Sequence, residues 1–183
     1  MPVEAGDAEL LNQFRTEKTR EAGYTGIIKK YQEKLYWHIR RMVVDHDDAN
    51  DVLQNVFIKI WNGLANFRED SRLFTWLYRI ATNESLSFLE QKKRKATVSM
   101  SGIEEGISNT IRADKDFDAS KLEWKLQLAI QQLPEKQRVV FNMRYYDEMP
   151  YEEMSHVLET SEGALKASYH HAVKKIEEFI LNH

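Results

Sequence analysis

Apolar residues recur at three- and four-residue steps along most of this chain, the spacing that places them on one face of an α-helix. Ile27, Ile28, Tyr31, Leu35, Ile39, Met42 and Val43 form a first stripe, and Val52, Leu53, Val56, Phe57, Ile60, Trp61 and Leu64 a second. Asp45, Asp47 and Asp48 stand where the second helix should begin, and carboxylates favour a helix N-terminus. The polar stretch Asn66 to Asp70 reads as a loop. A third helix follows with Phe74, Leu77, Ile80 and Ala81 inward and runs on through Leu86 and Leu89 into Lys92-Lys93-Arg94-Lys95. Towards the C-terminus, Leu122, Leu126, Ala129, Ile130 and Leu133 make another stripe. Pro134 restarts the chain, as proline does at a helix start, and Val139, Val140 and Met143 continue it. A short helix is expected from Tyr151 to Leu158. Ser161 then reads as the N-cap of a longer one carrying Leu165, Tyr169, Ala172, Ile176 and Phe179 on its inner side.

Between these groups the period lapses. Residues 96–118 contain Ser99, Ser101, Gly102, Gly106, Ser108 and a late run of acids, and read as a linker. As a flexible coil of that length its ends would lie ~25 Å apart, and ~75 Å when stretched. The predicted fold is therefore all-α: two small helical domains, residues 1–95 and 119–183, joined by a flexible linker, residues 96–118. No fixed-period repeat is visible.

Composition narrows the function classes. Seven glycines and three prolines in 183 residues are well under the usual ~12%, too few for the corners of a sandwich or barrel. No apolar run approaches the ~20 residues that span a bilayer, and the acidic start Met1 to Asp7 lacks a signal-peptide pattern. There is no cysteine, which removes disulfides, thiolate metal sites and thiol nucleophiles and fits a cytoplasmic location. The net charge of −3 is unlike a protein that holds DNA by its own field. It is also unevenly distributed: +2 over 1–95, −3 over 96–118 and −2 over 119–183.

Two segments carry candidate chemistry. Pro150 through Lys166 has the layout of a helix-turn-helix: a short amphipathic helix, a turn of about three residues, and a capped second helix. That second helix exposes Gly163, Lys166, Ala167, His170 and Lys174 opposite its apolar stripe. Its small residues allow close approach to DNA, and Lys166 can bond a phosphate or a guanine edge. A helical hairpin with a solvated charged face accounts for the same pattern. Phe67 through Asn83 interleaves aromatics with arginines, the pairing that grips single-stranded DNA by stacking and phosphate contact. Arg72, Trp76, Tyr78, Arg79 and Asn83 supply both kinds of group. Aromatics at helical spacing are also core formers; Phe74, Leu77 and Tyr78 are read as core, and Trp76 is open between the two roles.

With these residues in view, Asp48-Ala49-Asn50-Asp51-Val52-Leu53-Gln54-Asn55-Val56-Phe57-Ile58-Lys59-Ile60-Trp61 resembles the core-polymerase-binding helix of bacterial sigma factors. Phe67 to Asn83, with Thr75-Trp76-Leu77-Tyr78-Arg79-Ile80-Ala81, resembles the adjoining promoter-melting segment. Leu133-Pro134-Glu135-Lys136-Gln137-Arg138-Val139-Val140-Phe141, followed by Tyr151-Glu152-Glu153-Met154, is similar to the C-terminal sigma region. The resemblance covers nearly the whole chain and points to the small extracytoplasmic-function group. It implies region two in residues 1–95 and region four, with the helix-turn-helix, in 119–183. It implies that Asp48, Asp51, Gln54, Asn55 and Ile58 contact the clamp of core RNA polymerase. Arg68, Arg72, Trp76, Arg79, Asn83 and Ser87 would capture melted minus-ten bases. Ser161, Gly163, Lys166, Ala167, His170, His171 and Lys174 would serve the minus-thirty-five major groove. Where the family's recognition helix carries three further arginines, this chain has Ser168, His171 and Val173, so weak DNA binding by the C-terminal piece is expected.

The implied partners are core RNA polymerase and promoter DNA, with an anti-sigma factor as a further partner the resemblance admits; no cofactor, metal or catalysis is implied. A stand-alone helix-turn-helix regulator would leave the Asp48–Trp61 helix without a task. A di-iron bundle needs two Glu-x-x-His pairs plus two further glutamates, and Glu153-Met154-Ser155-His156 supplies one pair.

Overall fold

A computed structural model describes residues 5–97 and 121–182; of the expected linker, residues 96–118, Ala96 and Thr97 instead end the helix that begins at Leu73, and the rest lies outside the described residues. Among the described residues eight α-helices follow one another: α1 (Ala5–Arg15), α2 (Arg20–Val43), α3 (His46–Leu64), α4 (Leu73–Thr97), α5 (Lys121–Gln132), α6 (Glu135–Tyr145), α7 (Tyr151–Leu158) and α8 (Glu162–Asn182). The described residues contain no strand, as the helical periodicity and the shortage of turn formers predicted. None of the helices is long and apolar enough to cross a membrane among the described residues.

The centre of the N-terminal half is α2. Its stripe of Ile27, Tyr31, Leu35, Ile39, Met42 and Val43 is buried against α1, α3 and α4. The turn into α3 is short and tight. Asp45 N–H donates to the Val43 carbonyl (2.9 Å) across Val44, whose φ of 71° and ψ of −40° make a γ-turn. Asp45 then caps α3, its side chain accepting from the N–H groups of Asp47 (2.9 Å) and Asp48 (3.0 Å). The three aspartates thus satisfy the free donors and the positive end of the helix dipole, as their placement predicted.

The first helix, α1, carries no element predicted above. Leu11 and Phe14 are buried in the common core, and Asp7 is buried beside α2. Tyr31 donates its hydroxyl to Asp7 Oδ2 (2.7 Å) and Lys30 Nζ lies 2.7 Å from Oδ1. Burial, reinforced by the Asp7 carboxylate, pushes the Tyr31 phenol well above its ordinary range, so it remains a donor. Gly23 is the contact that lets α1 approach: a Cβ there would stand 2.4 Å from Phe14 N and 2.7 Å from the Leu10 carbonyl oxygen.

In the C-terminal half, α6 is buried on both sides. Phe141 joins Ala129, Ile130, Leu133, Ala172 and Ile176 in a core of that half. Val139, Val140 and Met143 instead belong to the same cluster as α2, α3 and α4, together with Met149, Met154, Val157 and Leu165. The two halves share a core, with α6 against α2 and α7 against α4.

Gly23→Ala should push α1 off α2, because the atoms in the way are backbone. Overpacking of this kind costs about 1–3 kcal/mol. Urea unfolding should register the loss, and amide exchange should speed up in α1 before it does in α3.

Candidate protein and nucleic-acid interfaces

Three faces hold the residues singled out above. The first is the outward side of α3. Val52, Val56, Ile60 and Leu64 face the core, which turns Asp51, Gln54, Asn55 and Ile58 to the surface; Ile58 is 60% exposed. Asp48 is half-buried and pairs with Lys92 of α4 (2.6 Å). Trp61, counted above with the inner stripe, lies at its edge: it is 38% exposed and makes edge contacts with Phe14 and Tyr24 at 5.5 and 5.0 Å. Ile58 is the apolar member of this otherwise polar outward set; a single exposed apolar side chain is ordinary at a protein surface.

The second face is the start of α4 and the loop before it. Leu73, Leu77 and Tyr78 are buried, Tyr78 with only 2% exposure, so its reading as core agrees with the structure. Burial, with a contribution from nearby Asp147, pushes its phenol upward. Trp76 is half-buried. Its ring lies 5.2 Å from Phe67 and rests on Gly63, where a Cβ would come within 3.1 Å. The indole is thereby held in place with part of its surface open. Asn83 and Ser87 follow on exposed turns of α4, and Arg68 is exposed in the loop. Two of the three arginines of this face, Arg72 and Arg79, are engaged by the other half of the chain. Arg72 pairs with Glu153 of α7. Arg79 donates from Nε to the His156 carbonyl (3.1 Å) and stands 3.5 Å from Glu159.

The third face is the helix-turn-helix. Helix α7 ends in Glu159, whose φ of 50° and ψ of 41° are left-handed and turn the chain. Ser161 then accepts from Ala164 N–H (3.3 Å) as the N-cap of α8. Leu165, Ala172 and Ile176 are buried, and Gly163, Lys166, Ala167, His170, His171 and Lys174 are exposed. A Cβ on Gly163 would meet nothing within 4 Å, so that end of the helix is open to close approach. Lys166 is drawn back over the Tyr151 ring (5.5 Å) and towards Glu162 (3.4 Å).

A further group, absent from the sequence reading, lies where the halves meet. Asp147, in the loop after α6, receives Arg41 Nη1 at 2.7 Å and faces His38 Nδ1 at 3.3 Å. His38 is fully buried. Thr82 donates its hydroxyl to the Tyr78 carbonyl (2.7 Å), so its oxygen accepts from His38 Nε2 (2.8 Å). That leaves Nδ1 turned towards Asp147. The readable signal was α6 itself: Val139-Val140-Phe141-Asn142-Met143 is buried all round, and a helix covered on every side needs neighbours on two of them. Among the described residues no group of three or more His, Asp or Glu could hold a metal ion, and Glu153 of the Glu-x-x-His pair is spent on Arg72.

The comparisons with known proteins agree with this layout. A family model described as sigma-70 region 2 matches residues 27–95, and one described as sigma-70, region 4 matches 123–176. The RNA polymerase sigma-H factor of Pseudomonas aeruginosa is 30% identical over 172 residues, covering 90% of this chain and 89% of that protein. The ECF RNA polymerase sigma-E factor of Escherichia coli is 28% identical over 171 residues, covering 89% of each. Among solved structures, the sigma factor RpoE in complex with the anti-sigma factor NepR from Bartonella quintana superposes with a TM-score of 0.68 at 19% identity, over 86% of this chain and 96% of that one. CnrH in complex with the cytosolic domain of CnrY gives 0.68 at 19% identity, over 96% and 97%. At that identity the solved structures speak for the fold. The two matched regions in their order, and the full-length relatives, settle the family: the chain belongs to the sigma-70 family of RNA polymerase sigma factors, in its extracytoplasmic-function group.

Proposed function

We propose that this sigma factor, a non-catalytic initiation factor by family, divides its work among the three faces. The α3 face of Asp48, Asp51, Gln54, Asn55 and Ile58 docks on the clamp of core RNA polymerase. The loop and early α4, with Arg68, Arg72, Trp76, Arg79, Asn83 and Ser87, hold unpaired minus-ten bases. Stacking on an indole contributes ~1–3 kcal/mol per base and arginines supply the phosphate contacts. Helix α8, with Ser161, Gly163, Lys166, Ala167, His170, His171 and Lys174, lies in the minus-thirty-five major groove. Residues 1–95 and 119–183 are the two working domains and 96–118 the tether between their DNA elements. Both the polymerase and the promoter place the chain's task in the cytoplasm. An anti-sigma protein is a further partner in this proposal, since one of the solved structures above holds a sigma factor together with an anti-sigma factor.

The observation that carries this reading over a stand-alone regulator is the outward face of α3. A regulator that needs only its helix-turn-helix gives the exposed set Asp51, Gln54, Asn55 and Ile58 no task. The C-terminal half also lacks the positive charge to hold a promoter unaided. It is net −2, and with few cationic contacts there is little counterion release to drive binding.

Run-off transcription with purified core enzyme on a pooled promoter library should show sequence-dependent initiation; none above core alone would remove the assignment. Ile58→Asp should weaken binding to core polymerase by about 30-fold or more, the size of an interface hot spot. Its unfolding free energy should stay within about 0.5 kcal/mol, as at other exposed sites.

Asn83→Ala should retain core binding and lose promoter opening, read by permanganate reactivity of unpaired thymines. Trp76→Ala should lose opening as well. It should also lower thermal stability, because that indole packs on Phe67 and Gly63.

A further inference from the structure

We propose that the groove-reading face of α8 is charged by protons: His170 and His171 take up protons as the helix enters the minus-thirty-five major groove, so promoter affinity rises as pH falls through the neutral range. The inference rests on the assignment of α8 to that groove and adds a control to it.

At 3.6 residues per turn, Gly163, Ala167 and Lys174 form a ridge opposite the buried Leu165, Ala172 and Ile176, and His170 and His171 fall on either side of it. The start of the ridge is low. Gly163 has open space where a side chain would stand, and Ala167 adds a methyl group, so the backbone can come close to a duplex with an imidazole on each flank. Both histidines are exposed, and their rings lie 6.1 Å apart. Among the described residues neither makes an ion pair or a hydrogen bond.

Without these rings the face has little charge to offer. From Ser161 to Lys175 the formal net charge is +2 with neutral imidazoles and +4 with both protonated. Lys166 is shared with Glu162 and lies over the Tyr151 ring, and Ser168 and Val173 supply no cation. Imidazole is the side chain suited to changing charge between pH 5 and 8, and a phosphate beside it favours the charged form. Protonated, it donates from both ring nitrogens. An arginine stays charged throughout that range. His171, where the family resemblance implies an arginine, therefore turns a permanent cation into a conditional one.

The surroundings leave that control in the hands of the DNA. On α8 itself, Lys166 and Lys174 stand within about a turn of His170, and Lys174 and Lys175 within about a turn of His171. The acids of the helix, Glu162, Glu177 and Glu178, lie farther along it. From α7, Tyr151 faces Lys166. From α6, Arg144 and Tyr145 act on Tyr169, the residue before His170. Helix α5 shares with α8 a cavity near Lys175 and Glu178, to which it brings Ala129, Gln132 and no charged group. No carboxylate is paired with either ring, so the anion that meets a protonated His170 or His171 has to come from outside the chain, and a phosphate backbone supplies it.

The test uses holoenzyme reconstituted from core polymerase and the full-length chain. The probe is a fluorescein-labelled duplex of the promoter that initiates most strongly in the pooled run-off library, read by anisotropy at pH 8 and pH 6. Between those values the unaltered chain should gain about ten-fold more affinity than His170→Gln/His171→Gln does, and its plot of log affinity against log salt should steepen by up to about 2, nearly one unit per phosphate met. His170→Lys/His171→Lys should bind more tightly than either at pH 8 and gain no more than the glutamine variant on acidification, which separates charge from shape. His156→Gln removes an exposed imidazole of α7 and should keep the full ten-fold difference, so titration elsewhere in the chain or in core polymerase is accounted for. Equal gains in the unaltered chain and the glutamine variant overturn the proposal. So does loss of the gain in His156→Gln. Run-off transcription keeps the two ideas apart. Sequence-dependent initiation with no contribution from the histidines to the pH response removes proton control alone. Absence of initiation by every variant at both pH values removes the assignment of function, and proton control with it.

Discussion

A carboxylate withdrawn from water has to be met by cations or donors, and Asp147 finds its ion pair on the opposite half of the chain, through Oδ1, while its Oδ2 has no hydrogen-bond partner. Arg41 reaches it at 2.7 Å and His38 faces it at 3.3 Å. Removing Arg41 or Asp147 alone would leave the other charge of the pair without its partner, which is far costlier than the net value of the pair. Asp147 therefore does more to specify how the halves sit than to hold each half together. With Asp147 in place, α6 lies along α2, α7 is brought over α4, and the acids of α7 fall on Arg72 and Arg79. The faces left uncovered follow from the same geometry. The outer side of α3 points away from α2, and the open side of α8 points away from its own buried stripe of Leu165, Ala172 and Ile176.

The local elements were legible because their signals are local. The Asp45–Asp47–Asp48 cluster marked the start of α3, and the cap geometry agrees. Tyr151 to Leu158 was readable as a helix, and it ends there because Glu159 turns left-handed. Tyr78 lies off the spaced stripe of Phe74, Leu77, Ile80 and Ala81 and was legible as core because aromatics within a helix are core formers. Helix α1 was missed because it contributes few apolar positions. The backbone of Leu10 and Phe14 meets Gly23 of α2, and a missing side chain leaves no mark on a pattern of apolar residues. Trp61 belonged to the stripe by spacing yet sits at its rim, held by Phe14 of the helix that was missed.

The contact between the halves was hidden for a different reason. Its polar members are ordinary surface types, and Arg72 and Arg79 had a sufficient explanation in DNA. Nothing one-dimensional pairs Arg41 with Asp147 across 106 positions. What could have been read is the five-residue run Val139 to Met143, which has no polar side suited to water apart from Asn142. Both faces of such a helix must be covered, and α5 and α8 account for one.

A family motif and a structural contact can therefore lay claim to the same residue without contradiction. An arginine suited to phosphate is equally suited to a glutamate, and the chain carries glutamates within reach. The recognition helix points the same way. With Ser168, His171 and Val173 at positions where the resemblance implies arginines, α8 adds little electrostatic attraction of its own, and Lys166 is already shared with Glu162 and Tyr151. A free molecule of net charge −3 whose best cations are internally occupied has little means of wandering onto DNA alone. Under the proposed division of work its specificity would be expressed once a large partner holds α3, and that dependence, rather than strength of binding, would suit a subunit that starts transcription only as part of the polymerase.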